Sequence, residues 1–259
     1  MGFDENLFAG RRVVVTGAGR GIGAAVARGF LACGATVVVH AGRSDAYVAR
    51  DLTPGLSRQA LSRLTILTAD LSPPGSGEVL AAAILEESER VDILVNNAGT
   101  MGGRVPAEET MASTYDAVLD LNIRSTVALT AALLPALRAA RGASIVNTVS
   151  ISARTGGSAG SSLYSGAKAF VATWSRALAR ELAPDGIRVN AVSPGTIATD
   201  FHERYSSAEK LKATATAIPL KRLGTPEDCA PAYLFLAANT LSGYITGQVI
   251  EVNGGQFMG

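Results

Sequence analysis

The chain is poor in the residues on which metal and disulfide chemistry depend. Among its 259 residues there are two cysteines and two histidines. Cys33 and Cys229 lie far apart with no CxxC spacing, so neither a disulfide framework nor a zinc cluster is indicated, and no metal is expected. A reducing cytoplasm fits that usage. Charge is also scarce: Asp, Glu, Lys and Arg make up 17% of the chain and the formal net charge is +1. Nucleic-acid binding would call for a basic patch, so no nucleic-acid partner is expected. Long apolar runs are missing too. The longest, VALTAALLPALRAA, is interrupted by Pro135 and Arg138, while MGFDENLFAGRR at the start holds two acids and no apolar core of signal-peptide length. Neither a membrane span nor a cleaved leader is expected.

What the chain does have is apolar residues (47%) and 28 glycines, the composition of a compact enzyme with tight turns. A chain of this size buries roughly 70 to 75% of its unfolded surface. Strand-length apolar runs recur at Arg12–Val15, Thr36–Val39, Leu64–Thr68, Ile93–Asn96, Ser144–Thr148, Arg188–Val192 and Gln248–Val252. Helical periodicity fills the intervals. Phe170, Trp174, Leu178 and Leu182, four apart, read as one core-facing stripe. Strands apolar on every side chain, alternating with helices, predict a parallel sheet covered on both faces. The expectation is α/β: a single Rossmann-type domain over 1–259, doubly wound, with about seven strands flanked by helices. No internal repeat or linker is visible. The least regular segments are Ser44–Arg63 and Ile197–Leu223, and the second is expected to be a substrate lid.

The first strand runs into TGAGRGIG, residues 16 to 23, and then into a helical segment. Glycines at such a turn let the backbone approach a pyrophosphate while the helix N-terminus faces its charge. Gly17, Gly21 and Gly23 depart from GxGxxG, with three residues between the first two. Further on come NNAG at 96 to 99, Ser150 after a strand, YxxxK at 164 to 168 and Pro194-Gly195. In this order the motifs resemble the common branch of the short-chain dehydrogenase/reductases, including the 3-oxoacyl thioester reductases, over nearly the whole chain.

The resemblance implies a nicotinamide cofactor and a ketone–alcohol interconversion. The cofactor would lie against Gly17, Gly19, Arg20, Gly21, Ile22 and Gly23. Asp70 and Leu71 would meet its adenine; Asn97, Ala98 and Gly99 would flank its ribose and nicotinamide with Pro194, Gly195, Ile197 and Thr199. An NAD site usually has an acid about 20 residues beyond the glycines. Here the second strand ends TVVVHAGRS, and the position holds Ala41, followed by Gly42 and Arg43. Arg20 and Arg43 are therefore expected on a 2′-phosphate, which makes NADP(H) the expected cofactor over NAD(H).

Residues four apart on a helix share a face, so Tyr164 and Lys168 can share a site. An ammonium close by favours phenolate over phenol and is expected to lower the Tyr164 pKa toward neutrality. Ser150 is expected to hold the substrate carbonyl oxygen. It stands fourteen residues before Tyr164, one more than the family's usual interval, which points to an insertion in the loop after it and leaves Ser152 as a substrate-pocket candidate. Asn122 falls within a predicted helix; by itself it reads as a cap or solvated side chain. The resemblance implies a helix kink whose carbonyl holds a water linking Lys168 to solvent. It also implies a homotetramer, through helices at Ser113–Arg141 and Tyr164–Ala183.

Two other readings compete. Gly156-Gly157-Ser158-Ala159-Gly160 matches the GxSxG nucleophile elbow of hydrolases. That elbow needs a strand directly before its Ser, which is not expected here, and only His40, read in the second strand-to-helix loop, and His202 could act as base. A non-catalytic NADPH-binding sensor is the other, opposed by the intact Ser150, Tyr164, Lys168 and Asn122 set. Substrate identity resides in the loops Thr100–Glu108 and Ser152–Leu163 and in the lid, and is open among 3-oxoacyl thioesters, sugars, polyol-derived, steroid-like and small ketones.

Overall fold

The computed structural model describes residues 2–259, apart from the side chains of His202 and Glu203. Its β-branched runs form β1 (Arg12–Thr16), β2 (Thr36–His40), β3 (Leu64–Leu67), β4 (Ile93–Asn96), β5 (Ser144–Thr148), β6 (Arg188–Pro194) and β7 (Val249–Val252). All pair in parallel, in the order β3-β2-β1-β4-β5-β6-β7. The central strands β4, β5 and β6 are buried at every residue, because helices cover both faces. The expected single-domain α/β fold with seven strands is the one observed. One detail differs: His40, expected in a loop, is the last residue of β2 and is buried.

Helices α1 (Gly21–Ala32), α2 (Arg58–Leu61), α3 (Ser76–Leu85), α4 (Ala112–Leu119), α5 (Ser125–Ala139), α6 (Ser152–Thr155), α7 (Ser162–Leu182), α8 (Asp200–Tyr205), α9 (Ala208–Ala217) and α10 (Pro226–Ala237) follow in chain order. α1 and α10 cover one face of the sheet, bringing Phe30, Tyr233 and Leu234 to the strands. α3, α5 and α7 cover the other, with Leu80, Leu129, Leu133 and Leu182. Ala112–Ala139 is long and apolar enough to cross a membrane by length and composition, but Leu129, Leu133 and Leu137 spend that apolarity in the core.

The stretch expected as one helix from Ser113 is two, joined by a π-helical turn at Asp120–Arg124. Its side chains explain the break. Asn122 Nδ2 donates to Val118 O at 2.7 Å, Ser125 Oγ to Leu121 O at 2.7 Å and Thr126 Oγ1 to Asn122 O at 3.2 Å, so polar groups satisfy carbonyls that a widened turn leaves poorly paired. Ser44–Arg63, expected to be irregular, also holds a π-helical turn (Val48–Leu52) and α2.

The α7 stripe needs correction as well. Leu178 and Leu182 are buried, whereas Phe170 is 44% exposed and Trp174 only half-buried. Each step of four residues advances about 40° past a full turn, so a strict i+4 row winds away from the core. The buried face is instead Tyr164, Ala167, Lys168, Val171, Ser175, Leu178 and Leu182, spaced by three and four. Residues 197–223 form α8 and α9, and the excursion closes where Ile197 bridges Gly224.

Candidate active site

The sheet order reverses between β1 and β4, and the crevice outside their carboxyl ends is where doubly wound folds take ligands. The loops after both strands are fastened together there. Asn97 Nδ2 donates to Thr16 O at 3.0 Å and Gly17 O at 3.1 Å, and the Asn97 and Ala98 N–H groups donate to Thr16 Oγ1, each at 3.0 Å. Gly17 has φ +63°, in the left-handed region that side chains avoid. A Cβ on Gly23 would collide with Gly17 O and lie 2.6 Å from Asn97 Nδ2, so only glycine lets α1 start this close to the turn. Beneath them, the Gly17 N–H donates to His40 Nδ1 at 3.3 Å and His40 Nε2–H donates to Ala69 O at 3.0 Å. Burial holds the His40 pKa below the usual value and keeps the ring neutral, and the Gly17 N–H, which can only donate, fixes this tautomer.

The cavity over this cradle has a volume of about 910 Å³ and runs from Arg43 to Lys210. Every residue expected at the site lines it except Gly23 and Asn122, which support it from behind. A glycine cradle at the start of α1, opening into an elongated cavity, fits a dinucleotide.

The two arginines expected on a 2′-phosphate both line the cavity, but each already has an acid. Arg43, whose side chain is 74% exposed, pairs through Nε with Asp70 at 2.9 Å. Arg20 pairs with Asp200 at 3.2 Å and stacks on the Tyr47 ring at 4.3 Å; Arg50 lies over the same ring at 4.9 Å and also pairs with Asp200. No carboxylate stands at Ala41, Gly42 or Arg43, where β2 ends.

Past the cradle, β5 delivers Ser150 and α7 delivers Tyr164 and Lys168, all three buried. The Ser150 hydroxyl lies beside that of Tyr164, near enough to favour its ionised form. Ser152, the first residue of α6, instead gives its backbone N–H to Ser150 Oγ at 3.2 Å. Lys168 Nζ donates to Thr148 O at 2.9 Å and sits 5.8 Å from the Tyr164 ring centroid. Gly99 is where the remaining group joins: a Cβ there would lie 2.6 Å from Asn122 Oδ1 and 3.2 Å from Lys168 Nζ. Asn122 is 1% exposed, and its side chain holds Thr100 at both ends, accepting from its N–H at 3.2 Å and donating to its carbonyl at 2.8 Å. The expected kink is present at Asn122, and its carbonyl accepts from Thr126.

The expected downward shift of Tyr164 is not what this environment produces. Burial pushes its pKa up to about 12, against a smaller lowering by the Ser150 hydroxyl. Burial likewise brings Lys168 down to about 8. Both groups are enclosed, and removal from water outweighs attraction across the gap between them. Tyr164 is therefore a phenol at neutral pH, the form that gives up a proton.

The substrate end holds residues that sequence reading missed. Phe201 lies 5.7 Å from the Tyr164 ring and 5.1 Å from Tyr205, whose hydroxyl is 3.2 Å from Thr100 Oγ1. Arg104 reaches the Tyr205 carbonyl at 2.6 Å and Ser158 Oγ at 2.6 Å. Only the loop locations foreshadowed them. Ser158 sits in the Gly156–Ser161 loop bonded to cations, and the His40 ring is committed to Gly17 and Ala69, so the hydrolase elbow is not formed with that base. The His202 side chain lies outside the described residues.

The family profile described as enoyl-(acyl carrier protein) reductase matches residues 17–256. The chain is 36% identical over 253 residues to a 3-oxoacyl-[acyl-carrier-protein] reductase of Synechocystis, covering 95% of this chain and 96% of the relative. The chain belongs to the short-chain dehydrogenase/reductase family. Another member, the chloroplastic NADPH-dependent aldehyde reductase 1 of Arabidopsis thaliana, is 33% identical over 255 residues, covering 97% of this chain and 88% of that one. Among solved structures, an NADH-dependent reductase responsible for alginate metabolism superposes with a TM-score of 0.84 at 32% identity, covering 97% of this chain and 99% of that one. As a short-chain dehydrogenase/reductase the chain is an NAD(P)-binding oxidoreductase acting on CH–OH or ketone groups.

Proposed function

We propose that this short-chain dehydrogenase/reductase is an NADP(H)-dependent enzyme interconverting a small-molecule ketone and its secondary alcohol. The observation that carries the reading is the convergence of buried Ser150, Tyr164 and Lys168 on the cavity beside the glycine cradle, with Lys168 and Asn122 meeting behind them at Gly99. A reduced nicotinamide bound there would supply a hydride to the carbonyl carbon. The Ser150 and Tyr164 hydroxyls hold the carbonyl oxygen; as negative charge gathers on it, Tyr164 gives up its phenolic proton. Lys168 favours the phenolate that results, since an ammonium nearby stabilises the anion more than the phenol. Asn122 fixes the Thr100 loop and supports the relay that returns a proton to Tyr164.

The absence of a carboxylate at the end of β2 supports NADP(H), with Arg20 and Arg43 exchanging Asp200 and Asp70 for the 2′-phosphate. An NAD(H)-dependent enzyme on the same scaffold is the second reading. It is favoured by those same ion pairs, which leave neither guanidinium free, and by the NADH-dependent neighbour. α8 and α9 form the lid over the substrate. The protein assembles as a cytoplasmic homotetramer through α4, α5 and α7, where Tyr115, Ala131, Ala139 and Phe170 are exposed. Ala140 is buried and takes no part. A steady-state screen of ketone and alcohol classes with both cofactors, read by nicotinamide absorbance, tests the whole proposal. Turnover with NADPH above that with NADH supports it, and cofactor binding without turnover of any class leaves only a sensor.

A further inference from the structure

Arg104, Arg204 and Lys210 line the substrate end of the cavity, and among the described residues no carboxylate pairs with any of them. The cofactor end is the opposite case. The two acids described along the cavity, Asp70 and Asp200, are both there and both already paired with arginines.

Arg104 is held in one pose. Its Nε donates to Tyr205 O at 2.6 Å, and its Nη1 donates to Ser158 Oγ at 2.6 Å and to Ala159 O at 3.2 Å. Nη2 has no acceptor among the described residues, so one edge of the fork is left for a ligand. Lys210 Nζ donates to the same Ser158 Oγ at 3.2 Å. Ser158 is itself fixed, its N–H donating to Ser161 Oγ at 3.1 Å and its carbonyl accepting from Ser161 Oγ at 2.6 Å. A neutral hydroxyl thus gathers two cations within roughly 6 Å of each other, where like charges repel unless an anion offsets them. The described residues supply none, and an arginine fork beside a lysine is a good receptor for a carboxylate or phosphate.

We infer that the substrate is a ketone carrying an oxyanion away from its carbonyl, bound by Arg104 and Lys210 with Ser158 as their shared anchor. This rests on the reductase reading and names the substrate class within it. The GxSxG-like loop is then a recognition element: its serine binds no acyl group but positions two charges.

The test compares kcat/KM for three ketones of one carbon skeleton, a free oxo acid, its methyl ester and a phosphorylated ketone, in the wild type, Arg104→Gln, Lys210→Gln and the double variant. In the wild type at least one anionic ketone should exceed the ester by about tenfold or more, as expected for charge-assisted hydrogen bonds. Which of the two leads identifies the oxyanion. That ratio should fall toward one in the double variant, mainly through KM. Lys210→Gln alters an exposed side chain and should lower the ratio even if Arg104→Gln folds poorly. An ester turned over as well as both anionic ketones, or a ratio unchanged in Lys210→Gln and the double variant, overturns the inference while leaving the reductase reading intact. No reduction of any ketone, with cofactor bound, removes the reductase reading and this inference with it.

Discussion

The two ends of the cavity are built on different plans. At the cofactor end the walls are backbone: a glycine turn, the Asn97–Gly99 loop and the turn after β6, with each cation along the wall balanced by an acid. At the substrate end the walls are side chains from a loop and two helices, aromatic at Phe201 and Tyr205 and cationic at Arg104 and Lys210, with the charges unpaired among the described residues. A backbone cradle accepts a ligand that does not vary and can be written as a short motif. A wall of side chains is tuned to one substrate and leaves no pattern in the sequence.

Tyr164, where the two ends meet, gives the largest expected effect. Tyr164→Phe keeps the ring and removes the acid, and kcat should fall by roughly 10² to 10⁴ with cofactor affinity retained. Stopped-flow reduction together with a cofactor titration separates the two quantities; near-normal turnover would place the chemistry elsewhere. The pH dependence follows from the same residue. Its pKa is raised to about 12, so the phenol persists through neutral pH; ketone reduction should hold steady there and fall only in alkali, while alcohol oxidation, which needs the phenolate, should rise with pH. A pH–rate profile in both directions checks the sign.

The paired charges of the cofactor end offer a second, smaller break. Arg43→Ala should weaken NADPH by about ten- to a hundredfold and NADH hardly at all, the worth of one hydrogen bond to a charged group. Ala41→Asp should go further by repelling the 2′-phosphate. Dissociation constants for both cofactors decide it, and equal weakening would assign Arg43 to Asp70 alone.

A third effect concerns stability. Lys168 has a folded pKa of about 8 against an ordinary value of 10.5, so below about 8 the fold bears a buried charge. Between those values the unfolded chain binds more protons, and stability rises with pH. Lys168→Met removes the burden while losing activity. It should stabilise the cofactor-free protein at pH 7 by on the order of 1 to 3 kcal/mol, the gain shrinking as pH rises through 8 to 10.5. Denaturant titrations at both pH values measure it. The smallest effect on turnover is expected from Phe170→Glu, which should reduce the tetrameric mass in light scattering while kcat stays near normal. A monomeric wild type would contradict the proposed assembly.

The legibility of the sequence divides along the same line. All seven strands lie within one or two residues of the apolar runs, because a parallel strand covered on both faces reads as a near-continuous apolar run. Gly17 and Gly23 are readable because backbone approach there excludes any side chain, and Gly99 because buried Asn122 and Lys168 crowd it. The π-helical turn at Asn122 was not visible as such from residue types, since it combines side-chain bonds to carbonyls within the helix with bonds to the distant Thr100 loop. Phe170 misled because a four-residue interval looks helical over one turn and drifts over three. The downward shift expected for Tyr164 weighed only the charge of the neighbouring lysine, and neither burial nor ring distance is written in YxxxK. Arg104 lies in a loop with no periodicity to mark which way it turns.

The parallel order of the sheet also sets a clock on the molecule's making. β1 must wait for β4, whose residues are added some 80 positions later. At 5 to 20 residues per second that is on the order of 4 to 16 s during which one edge of β1 stands open. Asn97 cannot clasp the glycine turn before then, and Tyr164 and the turn after β6 come later still. The pocket where both ligands meet is thus among the last parts of the nascent chain to take shape, and a pause in synthesis before residue 96 would leave β1 with an unpaired edge and no pocket at all.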